Sequence, residues 1–419
     1  MKKCVLGDYI LDMASGPFGS NLKVECFVPS GFPIIDGANL YGVRVTDNVT
    51  KFVTEEKARS LSRSIAKRHD VIVTISGTLG QVAYIPSDSL YEEYLCSQRQ
   101  FRVTFDESKI DVEYLVNLLH TDYGQKKILS FANYVGVPAL SQPLPNFRRI
   151  ELELPDIEKQ HKVAKIISTI DRKIALNRKR IATLEAMAKE IYDYWFVQFD
   201  FPDAHGRPYK SSGGAMVYNP DLKREIPKGW EVKSLGELMK TNASSYNERM
   251  LPSRIQYVDI AAVSNGVVSS KTEYDREQAP GRARRIAKSG DTIWSSVRPN
   301  LRAYALVLNP QEGDVFSTGF TVLSPVEVPY GFLYLTVTTE AYVSYLVSRT
   351  ANSAYPAVLP SAFGEYEIAV PPRDLLDRFA DQTEGMFELR QNCFDEIQIQ
   401  TSLCDFLLPL LMNGQVKVA

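Results

Sequence analysis

The 419-residue chain lacks any excess of one charge: 48 Lys and Arg stand against 50 Asp and Glu, a net of -2. A global basic field that would draw it to nucleic acid is therefore excluded, and such a surface has to come from local clusters of lysine and arginine. Five cysteines, Cys4, Cys26, Cys96, Cys393 and Cys404, are odd in number and contain no C-x-x-C pair. That excludes a disulfide framework and a zinc site and fits a reducing compartment. Long apolar runs are also missing. The best, Phe406 to Met412, is interrupted by Pro409, and the stretch after Lys2-Lys3 is too short and polar for a signal segment. The expected location is cytoplasmic, with no membrane partner. There is no Walker-type loop, hence no motor, and no N-P-P-[FY], D-P-P-[FYW] or F-x-G-x-G motif of a resident adenine methyltransferase. The four histidines, His69, His120, His161 and His205, have neither ligand nor triad spacing. The chain is expected to be non-catalytic and to hold no metal or cofactor.

What is present is a layout that occurs twice. Leu6-Gly7-Asp8-Tyr9-Ile10 is echoed by Leu235-Gly236-Glu237-Leu238-Met239, and His69-Asp70-Val71-Ile72-Val73 by Gly290-Asp291-Thr292-Ile293-Trp294. Gly77-Thr78-Leu79-Gly80 then matches Pro299-Asn300-Leu301-Arg302, and Val137-Pro138-Ala139-Leu140 matches Tyr355-Pro356-Ala357-Val358. Both series close on a strand-like run into proline, Leu154-Pro155 and Val370-Pro371-Pro372. The landmarks keep their order while the separation falls overall from 229 (Gly7 to Gly236) to 216 (Pro155 to Pro371), as a duplication with loop deletions in the second copy would leave.

Each copy runs into a long helix. Pro155 and Asp156 suit a helix start. From there Val163, Ile167, Ile170, Ile174, Asn177, Ile181, Leu184, Ala188, Ile191 and Trp195 alternate steps of four and three, a coiled-coil seam. It spans roughly 48 Å at about 1.5 Å per residue. Asn177 is its one polar member, a residue type that fixes register at a cost in stability. The second seam, Leu376, Phe379, Thr383, Met386, Cys393, Ile397, Cys404, Leu407 and Leu411, reads as interrupted by Arg390 and Gln400. Proline and glycine between Phe199 and Ile226 mark a loop-rich linker. The expected divisions are 1–154, a first globular domain; 155–200, a first long helix; 201–228, a linker; 229–371, a second globular domain; and 372–414, a second long helix. The fold class expected is α/β, with two globular domains separated by two long antiparallel coiled-coil helices and related by a pseudo-two-fold internal repeat.

Four stretches carry a family resemblance. They are Ser15-Gly16-Pro17-Phe18-Gly19-Ser20-Asn21-Leu22; Asp70-Val71-Ile72-Val73 with Gly77-Thr78-Leu79-Gly80; Gly136-Val137-Pro138-Ala139-Leu140-Ser141; and Leu154-Pro155 leading to Gln160, Asp171, Ile174, Leu184-Glu185 and Trp195-Phe196. With these the chain resembles, across essentially its full length, the specificity subunit of a type I restriction-modification system. The resemblance implies two target-recognition domains, each reading half of a bipartite site in double-stranded DNA. It also implies helices that bind two methyltransferase subunits, through which endonuclease-translocase subunits join. Those partners would use S-adenosylmethionine, ATP and magnesium. The family usually has Glu-Gln after the proline turn. Here Lys159 precedes Gln160, and the second copy has Arg373-Asp374 after Pro372, which leaves helix-surface contacts open.

Candidate DNA-binding residues fall into clusters, each with a plain structural rival. Ser76, Thr78 and Gln81 lie in the loop after the first buried strand, and Arg298, Asn300 and Arg302 in its echo. Small residues let backbone amides approach phosphates, and arginine and asparagine reach base edges; an ordinary surface turn is the rival. Arg282, Arg284 and Arg285 form a dense basic patch, or a solvated strand edge. Ser15, Phe18, Asn21 and Lys23 sit in a glycine-rich turn, and Tyr134, Ser141 and Gln142 in a late loop, where such residues also simply cap turns. Arg172, Lys173, Arg178, Lys179 and Arg180 face solvent or the phosphates of an unread spacer. Trp195, Phe196 and Phe199 are domain core or a subunit contact. Cys393 and Cys404 read as small buried apolar residues. The rival for the whole chain is a coiled-coil adaptor that touches no DNA. In the DNA reading, the helices set two half-sites about one turn of duplex apart, about 34 Å.

Overall fold

The computed structural model describes residues 1–350, 356–412 and 415–416. Tyr355 of the second-copy echo and residues 413 and 414 of the expected second helix lie outside the described residues. The chain divides into two units: Met1–Leu176 with the chain from Ile397 onward, and Asn177–Glu396.

In unit 1 an antiparallel sheet has the strand order Ile10–Ser15, Gln100–Phe105, Val71–Thr74, Val82–Tyr84. Val71, Val73, Phe101 and Val103 alternate toward one face and join the main core with Tyr114, Leu115 and Leu118 of the helix Val112–His120. A second sheet is ordered Phe27–Val28, Phe52–Val53, Phe32–Ile35, Glu93–Cys96, Ile65–Lys67, with Ile34 and Ile35 parallel to Leu95 and Cys96. Lys2–Val5 closes the unit by pairing with Glu151–Leu154 just before the long helix.

Unit 2 repeats this plan. Its antiparallel sheet runs Met239–Thr241, Phe320–Pro325, Thr292–Ser295, Tyr304–Leu306. Its mixed sheet runs Thr272–Asp275, Arg254–Val258, Asp314–Ser317, Ala283–Arg285, again with one parallel pair. Glu231–Ser234 pairs with Glu367–Val370 as the closing strands. Details recur down to single bonds. Asp70 and Asp291 each turn back to accept the amide of a lysine three residues earlier, Lys67 at 2.9 Å and Lys288 at 2.8 Å. Burial pushes both carboxyls above the ordinary aspartate value. Thr121 and Thr339 each cap the second helix of a pair.

The long helices span Ile157–Tyr192, followed by a π-helical turn at Asp193–Val197, and Arg373–Met412. Asp156 starts the first by accepting the Lys159 amide at 3.0 Å. Gln160, one of the residues behind the family resemblance, is buried. Its amide donates to the Pro155 carbonyl at 2.9 Å, and its oxygen accepts the Asp111 amide at 3.0 Å. It thus pins the helix to the neighbouring helix start. Within unit 1, Val163, Ala164 and Ile167 share a core with Leu411 and Met412. Within unit 2, Ala188, Tyr192 and Trp195 share one with Leu375, Leu376 and Phe379. The start of one helix meets the end of the other, so the pair is antiparallel.

The first seam is buried or half-buried at every expected position. Asn177 is 1% exposed and donates from Nδ2 to Glu396 Oε2 at 2.8 Å. The second seam corrects the sequence reading: Arg390 and Gln400 do not interrupt it but lie on it, both buried. Arg390 is accommodated because Nε donates to Glu185 Oε1 at 2.6 Å and Nη2 to the Gly266 carbonyl at 2.7 Å. The linker also differs from expectation. Met216–Asn219 and Arg224–Pro227 form a hairpin whose turn is held by the Asn219 side chain accepting the Asp221 and Leu222 amides. Phe201 stacks between Tyr209 and Trp230. Trp195, Phe196 and Phe199 belong to the core of unit 2. Cys393 is buried, while Cys404 is half-buried with its thiol pushed up by that burial.

Candidate nucleic-acid interface

In both units the segment after the buried strand is crossed by two others, with the same bonds. In unit 1, the Ile75 amide donates to the Arg99 carbonyl (2.7 Å), the Gly77 amide to Pro138 (2.9 Å) and the Leu140 amide to Ile75 (2.8 Å). In unit 2, Ser296 donates to Gly319 (2.8 Å), Arg298 to Pro356 (2.9 Å) and Val358 to Ser296 (2.8 Å). Isolated bridges Ser76 to Ala139 and Val297 to Ala357 complete the match. The crossing corrects the alignment read from sequence, because Gly77 corresponds to Arg298 and not to Pro299. The loop of unit 2 is one residue longer: Thr74 takes the carbonyl of Gln81 and Ser295 that of Ala303. Gly80 therefore does correspond to Arg302.

This correspondence exposes a conformational fact. Gly77 and Gly80 have φ of 96° and 87°, and Arg298 and Arg302 hold φ of 49° and 54° at the same two positions. Left-handed backbone is cheap for glycine and costs roughly 1–2 kcal/mol for other L-residues. Such strain concentrates where function over-determines the chain.

In unit 1 the crossing borders a groove of 610 Å³ lined by Lys51, Ser76, Thr78, Gln81, Gln98 and Arg99 among others. Leu22 and Val24, flanking Lys23, line it too, so the N-terminal turn reaches the same place. Within that turn the Asn21 amide donates to the Phe18 carbonyl at 2.8 Å, leaving Phe18 83% exposed and Ser15, Asn21 and Lys23 exposed. Glycine is required at position 16 because a Cβ there would fall 1.8 Å from the Ser97 carbonyl oxygen. Gln81 is committed to the frame: its oxygen accepts from Thr74 Oγ1 at 3.0 Å and its amide donates to the Gly37 carbonyl at 3.1 Å. Thr78 is exposed and Ser76 half-buried. Tyr134 and Val135 stand exposed on the tip of the hairpin Ala132–Asn133 with Ala139–Leu140, whose second strand makes the crossing. Ser141 and Gln142 follow, exposed, with Gln142 at φ 41° before a short helix, and Asn146 Nδ2 donates to the Ser141 carbonyl at 2.6 Å. The three unit 1 clusters thus converge on the crossing and its surroundings.

In unit 2, Arg298 and Asn300 are exposed on the loop. Arg302 is held by Glu340 through two bonds of 2.6 Å, which raises the guanidinium's proton affinity further. Arg282 is exposed, and its carbonyl accepts the Thr318 amide at 2.8 Å, beside the Gly319 that makes the crossing. Arg284 and Arg285 are half-buried. Arg284 Nη1 donates to the Ala283 carbonyl at 2.9 Å and Arg285 Nη1 to Ser245 Oγ at 3.0 Å, and burial pulls Arg285 below its ordinary value. The basic patch is therefore less available than its sequence suggests. Arg172, Lys173, Arg178, Lys179 and Arg180 are all exposed on the first long helix. Sequence reading missed Gln98 and Arg99, exposed in a turn whose significance comes from the crossing. Among the described residues no group of three or more His, Cys, Asp or Glu side chains could hold a metal ion. No helix among them is long and apolar enough to cross a membrane.

Residues 28–186 match the family model described as type I restriction modification DNA specificity domain. Over 379 residues the chain is 24% identical to the type I restriction enzyme MjaIX specificity subunit of Methanocaldococcus jannaschii, covering 87% of this chain and 82% of that protein. It is 22% identical over 320 residues to the HindI specificity subunit of Haemophilus influenzae, covering 64% and 69%. In fold it is similar to the crystal structure of a type I restriction-modification S subunit from M. genitalium. That match has a TM-score of 0.63 at 16% identity, over 98% of this chain and 95% of that one.

Proposed function

We infer that this chain is a specificity subunit of a type I restriction-modification system and reads a bipartite duplex site with one crossing from each unit. The observation that carries this is the twofold occurrence of the same three-segment crossing, each fringed by exposed polar or basic loop residues. Backbone-held loops with arginine, asparagine and serine suit base-edge contacts. The lysine- and arginine-bearing surfaces suit phosphate, which supplies most of the affinity in such interfaces. In this reading Ser15, Phe18, Asn21, Lys23, Ser76, Thr78, Tyr134, Ser141 and Gln142 serve the first half-site. Arg282, Arg298 and Asn300 serve the second. Gln81, Arg284, Arg285 and Arg302 act mainly by holding the frame.

The same reading makes the chain non-catalytic and cytoplasmic. Two methyltransferase subunits dock on its helices and carry endonuclease-translocase subunits. S-adenosylmethionine, ATP and magnesium belong to those chains.

Exchanging residues 1–150 for those of another specificity subunit tests this directly, read by mapping methylated adenines in a host genome. One half of the recognised site should change and the other persist; a change in both halves would refute independent reading. An adaptor without DNA affinity would fail earlier. It would not retard a pool of random-sequence duplexes at low salt, whereas the recognition reading requires retention that falls steeply as salt rises.

A further inference from the structure

Resting on that reading, we propose that Arg99 is the base-reading guanidinium of unit 1, the counterpart of Arg298 in unit 2 supplied from the opposite side of the crossing. The two units exchange residue types across the same hydrogen-bonded frame. Where unit 2 has Arg298 on the central segment, unit 1 has Gly77; where unit 1 has Arg99 on the flanking turn, unit 2 has Gly319. The substitution is spatial as well as sequential. A Cβ placed on Gly77 would lie 3.8 Å from Arg99 Nη1, so the Arg99 guanidinium occupies the space into which a side chain at position 77 would begin to grow. Each crossing thus has one arginine on its segments, supplied from two different places in the frame.

The surroundings separate Arg99 from an ordinary solvated arginine. It lines the 610 Å³ groove beside Ser76, Thr78 and Gln98. Among the described residues its guanidinium makes no hydrogen bond or ion pair, while the other cation of the groove, Lys51, is held by Asp36 at 2.6 Å. Its own backbone is fixed at both ends of the turn, the carbonyl accepting from Ile75 and the amide donating to Ser97 Oγ at 3.4 Å. A donor fork on a fixed stem, unspent on the protein, matches the paired acceptors of a guanine edge in the major groove. Arg302 lacks that freedom, since Glu340 takes two of its donors, and Arg285 is half-buried with Nη1 already given to Ser245.

The test uses the full chain and selection from a random-sequence duplex pool, comparing wild type with Arg99→Gln, Arg99→Lys and Arg298→Gln. Arg99→Gln should lose preference at one position of the first half-site, weaken binding to the wild-type sequence about tenfold or more, and leave the second half-site intact. Arg298→Gln should do the converse. Arg99→Lys keeps the charge but not the planar fork, and should relax the same position; it also keeps the test decisive if the glutamine variant folds poorly. Selection of an unchanged site with affinity within about twofold would overturn the proposal. So would weakening spread evenly over all sequences with a shallower salt dependence, the mark of a phosphate contact. A wild-type chain that enriches no bipartite sequence would instead overturn the functional reading beneath it.

Discussion

Unit 1 and unit 2 share a frame and differ in what they hang on it. Both order their four-stranded sheets alike, cap the same helix with threonine and bury an aspartate at the same strand entrance. They diverge where the frame meets solvent and where it meets the coiled coil. At the crossing, unit 1 uses glycines and unit 2 strained arginines. Along the second long helix, unit 2 buries Arg390 with its donors satisfied, whereas unit 1 buries Gln400 with an Oε1 that has no partner among the described residues. The difference teaches that backbone hydrogen bonds carry the repeat, leaving surface side chains and seam polarity free to vary. The proposed reading of two unlike half-sites requires that separation.

The comparison breaks most visibly at Arg390. Arg390→Ala removes a buried guanidinium that joins Glu185 to the Gly266 carbonyl and lies 4.7 Å from the Phe394 ring centre. Loss of one partner of a buried pair costs about 3–5 kcal/mol. The lower end is expected here because the Glu185 side chain is 38% exposed and keeps its hydration. All three tryptophans, Trp195, Trp230 and Trp294, lie in unit 2. Urea unfolding followed by tryptophan fluorescence therefore reports this unit, and its midpoint should fall sharply. A shift worth less than about 1 kcal/mol would mean that Arg390 is not the anchor of this seam.

How much of this was legible follows the range of the interactions. The first seam could be read from Val163 to Trp195 because heptad spacing is local. The frame could be read from paired landmarks such as Asp70 and Asp291, because a buried strand after a turn leaves a short apolar signature. Arg390 reads as an interruption because its partners, Glu185 and Gly266, are remote in sequence, and only they make its burial tolerable. The linker hairpin was missed because proline and glycine outweighed the short alternation at Met216–Asn219. Arg99 was missed for a third reason: a turn arginine looks solvated until the crossing shows which glycine it faces. The one signal within the sequence was the strand after it. Aligning Phe101-Arg102-Val103 with Thr321-Val322-Leu323 sets Arg99 against Gly319.

A smaller effect sharpens the equivalence of Gly77 and Arg298. If the two positions are the same point of one frame, Gly77→Arg should fold, because a Cβ there meets only Arg99 Nη1 at an ordinary 3.8 Å. Its main cost should be the left-handed backbone, about 1–2 kcal/mol, with the exposed Arg99 side chain turning aside to make room, seen as a modest drop in the unit 1 transition by circular dichroism. Loss of several kcal/mol would show that unit 1 cannot accept a side chain where unit 2 has one.

The smallest effect concerns Gln400. An amide oxygen buried without a partner pays its desolvation and recovers nothing, so Gln400→Leu, similar in volume, should leave unit 1 as stable or gain up to about 1 kcal/mol. Set beside the large loss at Arg390→Ala, this would show one helix using seam polarity for strength in unit 2 and not in unit 1. The reverse result, a clear loss at position 400, would mean that the amide is satisfied when the protein is in water. Seam polarity would then belong to the shared frame and not to the features that separate the two units.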